Sequence, residues 1–395
     1  MSARFIKKIV LSVLVSMLCV RLFAIEYLQG SQDKAWHLME MAKIAIEKKE
    51  FGNALVYVER ALEVHTNTYK NNYEYLKNAL KPYQVRRAGD DIDEVYKVFK
   101  ERDNYDACRI MDEIFLLRPR VTFDFSMQRF MDYLKERIAF PEADYITGRI
   151  YSIQGEYKQA MTYYEKAYKK INLLEIPDER FSIIYAIADT AGLLGMHDKQ
   201  EKYLLLVITE DPTFGSTVLE SKKLKAMLGS VIKEKTTDKF FRLYRVNKEI
   251  ALKAYNDLTK IYLEAGNAKR SLATSALAAN IAITTLSDML AKADFTYTYS
   301  DFKDVLKRTG KNATIKQWAE DKKLWDVFLN FADSLEASGY SPQAIDMYHK
   351  IAESIPSLDY SQRAMYKASS SVPTVSVGAD ADVQSLIKAL EEALN

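Results

Sequence analysis

The chain has 395 residues, enough for two or three ordinary domains, and its 13 Gly and 8 Pro are few for that length, which favours long helices over many turned strands. Apolar residues make up 48% and aromatics 12%, including 26 Tyr, against 28% charged residues, so a packed interior and a solvated exterior are both provided for and disorder is excluded for most of the length. With 56 Lys and Arg against 54 Asp and Glu there is no basic surplus of the kind that sequence-independent nucleic-acid binding needs.

Residues 1–24 read as a secretory signal. Arg4, Lys7 and Lys8 form a basic start, Ile9 to Val20 is an apolar run, and Leu22-Phe23-Ala24 offers a small residue at the cut, so cleavage after Ala24 is expected. The run is shorter than the ~20 apolar residues a span requires and is followed by Arg21, which makes a stable transmembrane anchor the poorer reading. Cys19 is a poor lipidation site because Leu18 stands where a lipoprotein signal wants Gly, Ala or Ser. Cleavage removes four basic residues and leaves 52 Lys and Arg against the 54 acidic residues, near neutrality. Cys108 is then the one remaining cysteine, and a large exported chain without a disulfide fits a bacterial periplasm better than a eukaryotic secretory route.

Beyond the signal the chain repeats itself. Residues 35–68 place Met41, Ala42, Ala45, Phe51, Ala54, Val58 and Ala61 at helical spacing, with Lys49 at the turn. Around Ile92 to Pro119, Tyr105, Ala107 or Cys108, Met111 and Ile114 give a further copy, its register open by one residue. The stretch Ala143 to Lys170 is the clearest: Gly148 and Tyr151 share a face, Gly155 ends the first helix, Tyr157 plugs the turn, Ala160 permits close crossing, and Tyr164 and Ala167 continue the buried face. Residues 181–214 supply Ile184, Ile187, Ala188, Ala191, Gly195, Leu204, Val207 and Pro212, with the large Gln200 at the crossing position. Residues 252–285 supply Tyr255, Leu258, Tyr262, Gly266, Ala268, Ser271 and Ala278. Residues 325–358 supply Phe328, Phe331, Ala332, Leu335, Gly339, Ala344, Tyr348, Ile351 and Pro356. Between copies, Ser216 to Lys233 and Phe240 to Glu264 have helical spacing, whereas Asp294 to Lys316 is either a longer connection or an altered hairpin.

This order of small, aromatic, Gly, aromatic, small, aromatic and small positions resembles the 34-residue tetratricopeptide repeat, although Asp144 stands where that family carries an early Trp. The resemblance implies an all-α solenoid of helical hairpins wound as a right-handed superhelix. It divides into N-terminal repeats over 25–235 and C-terminal repeats over 236–366. A breaker-rich linker over 367–382 follows, then a short helix over 383–395 in which Val383, Leu386, Ile387, Leu390 and Leu394 form an apolar stripe. That helix, capped by Asp380 or Asp382, either folds back to cap the solenoid or docks on a partner.

Reactive chemistry is sparse. His37, His65, His197 and His349 show no metal-ligand spacing, and Cys108 lies in an apolar stripe with Met111 and Phe115, which marks a buried inert thiol. Asp90-Asp91-Ile92-Asp93-Glu94 reads as a helix start and not a calcium loop, and Asn312-Ala313-Thr314 is a chance sequon. Phosphate loops, nucleophile elbows and HExxH are absent from the sequence, so neither a cofactor nor a metal is expected and binding is favoured over catalysis.

In the resembled family the partner lies on the concave surface formed by the first helices of successive hairpins. Register then points to Tyr145, Arg149, Tyr185, Asp189, Asn256, Lys260, Asn330 and Asp333 as partner-facing. Asn256 with Lys260 is only a faint match to the family's carboxylate clamp. The expected function is a periplasmic scaffold or adaptor for other envelope proteins or peptides, and the alternative is a helical protein that encloses a small solute.

Overall fold

A helical hairpin needs a left-handed residue where its first helix ends, and four glycines supply one: Gly155, Gly195, Gly266 and Gly339 have φ of 80°, 70°, 69° and 81°. Lys49 adopts φ 62° at the corresponding turn of the first hairpin, paying the Cβ cost that glycine avoids. The computed structural model describes residues 34–84, 90–210, 229, 237–243 and 249–371, and the regular elements among them are all helical. The described helices form two compact units, Met1–Arg180 and Phe181–Asn395. The expected division at 235/236 falls outside the described residues, and residues 181–210 belong with the second unit.

In the first unit α1 (Ala35–Glu47) and α2 (Phe51–Gln84) form a hairpin that stacks on the next, α6 (Pro141–Ile153) and α7 (Tyr157–Tyr168). Leu38, Ala42, Ala54, Val58, Ala61, Ala143, Ile146 and Ile150 make their shared core. Between them the chain departs into α3 (Ile92–Glu101), α4 (Tyr105–Leu117) and α5 (Met127–Glu136). These three pack on the far half of α2, where Tyr69, Leu76 and Leu80 meet Val95, Phe99, Met111, Ile114, Phe130 and Leu134. Helix α2 is 34 residues long, ~51 Å at ~1.5 Å per residue, and serves two cores in succession. The expected copy around Ile92 to Pro119 is therefore a genuine hairpin, but one inserted beside the stack. Its acidic start caps α3, with Asp91 Oδ1 accepting from Asp93 N at 2.8 Å and Glu94 N at 3.0 Å.

The second unit begins with α8 (Glu179–Leu193) and α9 (His197–Glu210), then the short α10 (Asp238–Leu243). The hairpin α11 (Glu249–Glu264) and α12 (Ala268–Ala293) is followed by α13 (Phe302–Lys311) and α14 (Ala313–Asp321), then by α15 (Leu324–Ala337), α16 (Ser341–Ser354) and α17 (Leu358–Ser370). Gln200 is accommodated because Gly192 lies opposite it, where a Cβ would come within 2.6 Å of the amide. Helix α12 is buried from Ser271 to Ser287. Its Thr274, Ser275 and Thr285 hydroxyls bond carbonyls one turn back, so small polar side chains line a fully enclosed helix at little desolvation cost. Like α2, α12 outruns its hairpin, and the short α13 and α14 pack against it. The stretch 294–316 thus holds a connection and an altered hairpin, with Asn312 Oδ1 capping α14 through Ile315 N at 3.1 Å. Phe240, Phe241, Phe302, Phe328 and Phe331 interlock with neighbouring ring centroids 4.8–6.0 Å apart.

One boundary needs correction. The expected linker starts at 367, but α17 continues to Ser370 because the Ser369, Ser370 and Ser371 hydroxyls bond the last-turn carbonyls of Tyr366 and Lys367. The rest of the linker, the helix over 383–395, the signal over 1–24 and most of Ser216 to Lys233 lie outside the described residues.

Gly148 permits the closest approach in the clearest hairpin: a Cβ there would lie 2.6 Å from the Tyr164 ring. We expect Gly148→Val to cost about 2 kcal/mol by overpacking. Lys49→Gly should instead stabilise by about 0.5 kcal/mol, the left-handed strain relieved less the added chain entropy. Denaturant midpoints of the two variants check the opposite signs.

Candidate functional site

The side chains expected to face a partner fall into two groups. In the first unit Tyr145 packs partly buried against the α1–α2–α6 core, its ring centroid 5.9 Å from that of Tyr164, and Arg149 is half-buried one turn on. In the second unit six of them bridge the first helices of successive hairpins. The Tyr185 hydroxyl donates to the Ile250 carbonyl and accepts from Ala254 N at 3.1 Å, and Asp189 takes Lys253 Nζ at 2.5 Å. Asn330 Nδ2 donates to Asn256 Oδ1 at 2.8 Å, Lys260 lies 3.8 Å from Asp326, and Asp333 accepts from Tyr348 at 2.7 Å and Lys367 at 2.5 Å. The row α8–α11–α15–α17 is thus laced by the polar positions that register singles out. Asn256 and Lys260, the faint clamp, are each engaged within the row.

Exposure decides what these contacts are worth. The Lys253–Asp189 pair is about half exposed on both sides and belongs with pairs worth less than about 1 kcal/mol. Asn256 is buried, so its amide oxygen has no water to fall back on. Asn330→Ala should therefore cost about 1–3 kcal/mol of stability, and Lys253→Ala much less, in paired unfolding measurements.

A more accessible site lies where the inserted helices leave the stack in the first unit. The first turn of α1, the middle of α2 and the second half of α4 enclose a cleft of about 730 Å3, open on one side. Trp36, 61% exposed, and Leu117 stand at its rim with Arg60 and Arg109, and His65 and Tyr69 line its interior. Arg60 pairs with Glu63 at 2.6 Å and Arg109 with Glu113 at 2.8 Å, so both rim arginines are paired, and the lining between them mixes Val64, Ile114 and Phe140 with Thr68 and Asn72. Register does not find this cleft, because it forms between a stacked hairpin and an inserted one. The sequence signal is indirect: Trp36 and Leu117 lie off the stripes their own helices bury.

His65 is held rigidly. It stacks on Phe140 with centroids 4.0 Å apart, tilts on Tyr69 at 4.6 Å, and its Nε2 donates to the Arg137 carbonyl at 2.7 Å. That acceptor fixes the proton on Nε2 in the neutral ring. Burial, followed by the Arg137 charge, pushes its pKa down to about 4. Arg137 is itself fully buried, donating to the Leu173 carbonyl and to Glu175 at 2.8 Å, with Tyr69 beneath it at 5.1 Å. His65 thus packs in the interior, whereas His37, His197 and His349 are exposed. Burial also pushes the Cys108 thiol up, which disfavours the thiolate.

The low pKa has a signed consequence. Between pH 6.5, the ordinary value, and pH 4 the unfolded chain takes up a proton at His65 that the folded chain refuses. Stability is full above pH 6.5 and falls by about 3 kcal/mol as pH drops to 4, at ~1.4 kcal/mol per unit. Replacement by Gln keeps a donor and removes the titration. The gap between the urea midpoints at pH 7 and pH 5 should shrink in His65→Gln relative to the parent chain.

Among the described residues no helix is long and apolar enough to cross a membrane, and no group of three or more His, Cys, Asp or Glu is placed to hold a metal ion. Stacked hairpins with turn glycines, interlocked small and aromatic positions and an open cleft define a tetratricopeptide-type helical repeat protein. The sequence profile of the tetratricopeptide repeat matches residues 145–169, the body of α6 and α7. The chain is 39% identical over 334 residues to a protein of Treponema pallidum (strain Nichols) described as uncharacterized, an alignment that covers 85% of this chain and 89% of the relative. The chain belongs to that protein's family, and its fold is that of the tetratricopeptide repeats.

Proposed function

We propose that the protein is an exported scaffold that binds other proteins or peptides of the bacterial cell envelope, and that the cleft beside α2 is where it does so. One observation carries the reading: a cleft that mixes aromatic and aliphatic side chains with polar ones is left open in a fold class whose common use is protein binding. The exposed Trp36 and Leu117 are the residue kinds that anchor an incoming side chain, and Arg60 and Arg109 supply a polar rim. Export is supported by the basic start and apolar run of residues 1–24, and a periplasmic location by the lack of a second cysteine after cleavage. No catalytic role is proposed.

A second reading is favoured by the size of the cleft, since about 730 Å3 is within the range of small-molecule pockets. The two readings part in one experiment on tagged full-length protein cross-linked in native cells. The scaffold reading expects a mature amino terminus at Ile25, recovery in the envelope fraction, and a specific protein partner lost in a Trp36→Ala, Leu117→Asp variant. Recovery of free protein alone contradicts it, and a small molecule retained in native mass spectrometry supports the solute-binding reading instead.

A further inference from the structure

Helix α17 is seated like the first helix of another hairpin. On one side Ala364 is buried, the Tyr360 hydroxyl donates to Asp326 at 2.8 Å, and Lys367 reaches Asp333 at 2.5 Å. Its other side is bare: Leu358, Met365 and Tyr366 are 73%, 51% and 74% exposed.

The repeat period explains which side this is. A step of 34 residues from Leu324, Phe328, Phe331, Ala332 and Leu335 of α15 lands on Leu358, Gln362, Met365, Tyr366 and Ser369 of α17. The five α15 positions are all buried, and the five on α17 are all exposed. On α15 this face is covered by its own second helix, α16, through Ala344, Tyr348, Ile351 and Ile355, spaced four, three and four. The same spacing carries Ala54, Val58, Ala61 and His65 on α2, all buried. After α17 it recurs in one overlapping segment, at Val383, Ile387, Leu390 and Leu394 and, in a second phase, at Ala379, Val383, Leu386 and Leu390; the first phase lies wholly within residues 383–395.

We propose that the bare face of α17 is a docking surface for residues 383–395 of the same chain, which close it as the second helix of a terminal hairpin. Register pairs Leu394 with Leu358 at one end, as Ile355 matches Leu324 in the preceding hairpin. The tether suffices: residues 372–382 reach ~36 Å when extended, at ~3.3 Å each, against the ~10 Å between neighbouring helix axes. Pro373 and Gly378 keep the tether from continuing α17 and make this turn longer than those of the other hairpins. The inference is independent of the cleft and its partner.

The test uses the full chain. In a Cys19→Ser, Cys108→Ser background, Met365→Cys with Ile387→Cys should give an intramolecular disulfide under mild oxidation, and Met365→Cys with Lys388→Cys, on the polar side of the tail, should give far less. Amide exchange over residues 358–371 should be at least tenfold slower in the parent chain than in Leu390→Asp, with the remainder of the second unit unchanged. Equal exchange in the two chains overturns the proposal. So does a disulfide that links two chains at low concentration, which would assign the face to a second copy, or equal cross-linking by both cysteine pairs.

Discussion

A single helix, α2, holds the first unit together by belonging to two cores at once. Its first half lies in the hairpin stack through Ala54, Val58 and Ala61, and its second half carries the inserted α3, α4 and α5 through Tyr69, Leu76 and Leu80. A tetratricopeptide hairpin cannot bury its stripe alone, and an inserted hairpin cannot either. Lengthening the second helix gives the insert a surface without interrupting the stack. Helix α12 does the same in the second unit, where small side chains with self-satisfied hydroxyls let it be enclosed on all sides.

The cleft follows from that division. Where α2 passes from one core to the other, Phe140 edges the stack and α4 edges the insert, and the gap between them is floored by His65 and Tyr69. A charged histidine there would have to be desolvated beside the buried Arg137, so the ring remains neutral and serves as a spacer between aromatic neighbours. The floor is rigid and the rim is exposed. That combination suits a preorganised binding surface better than a surface that must be ordered on binding.

Much of the fold is legible in the sequence because the tetratricopeptide pattern is a pattern of steric demands. Gly155, Gly195, Gly266 and Gly339 are each where the turn needs positive φ, and Gly148 is where the Tyr164 ring needs room. Lys49 hides its turn, since nothing in a lysine announces a left-handed backbone. Residues 92–119 were readable as a hairpin but not as an insert, because periodicity reports that a stripe exists and not what covers it. The partner-facing assignment meets the same limit. Asn256, Asn330 and Asp333 occupy polar positions on first helices, and a polar residue there can face a ligand or the neighbouring helix; in the second unit they bond the neighbouring helix. The cleft is invisible in the sequence for a stronger reason, being made by residues from Lys34 to Glu175 whose proximity depends on α2 outrunning its hairpin.

We propose the junction cleft, and not the laced row of first helices, as the surface that other proteins meet. Its most direct test places a photo-crosslinking amino acid at Leu117 or at Asn330 in the full chain, in native cells. The account predicts a discrete protein adduct from Leu117 and none from Asn330. Adducts from Asn330 with none from Leu117 would contradict it.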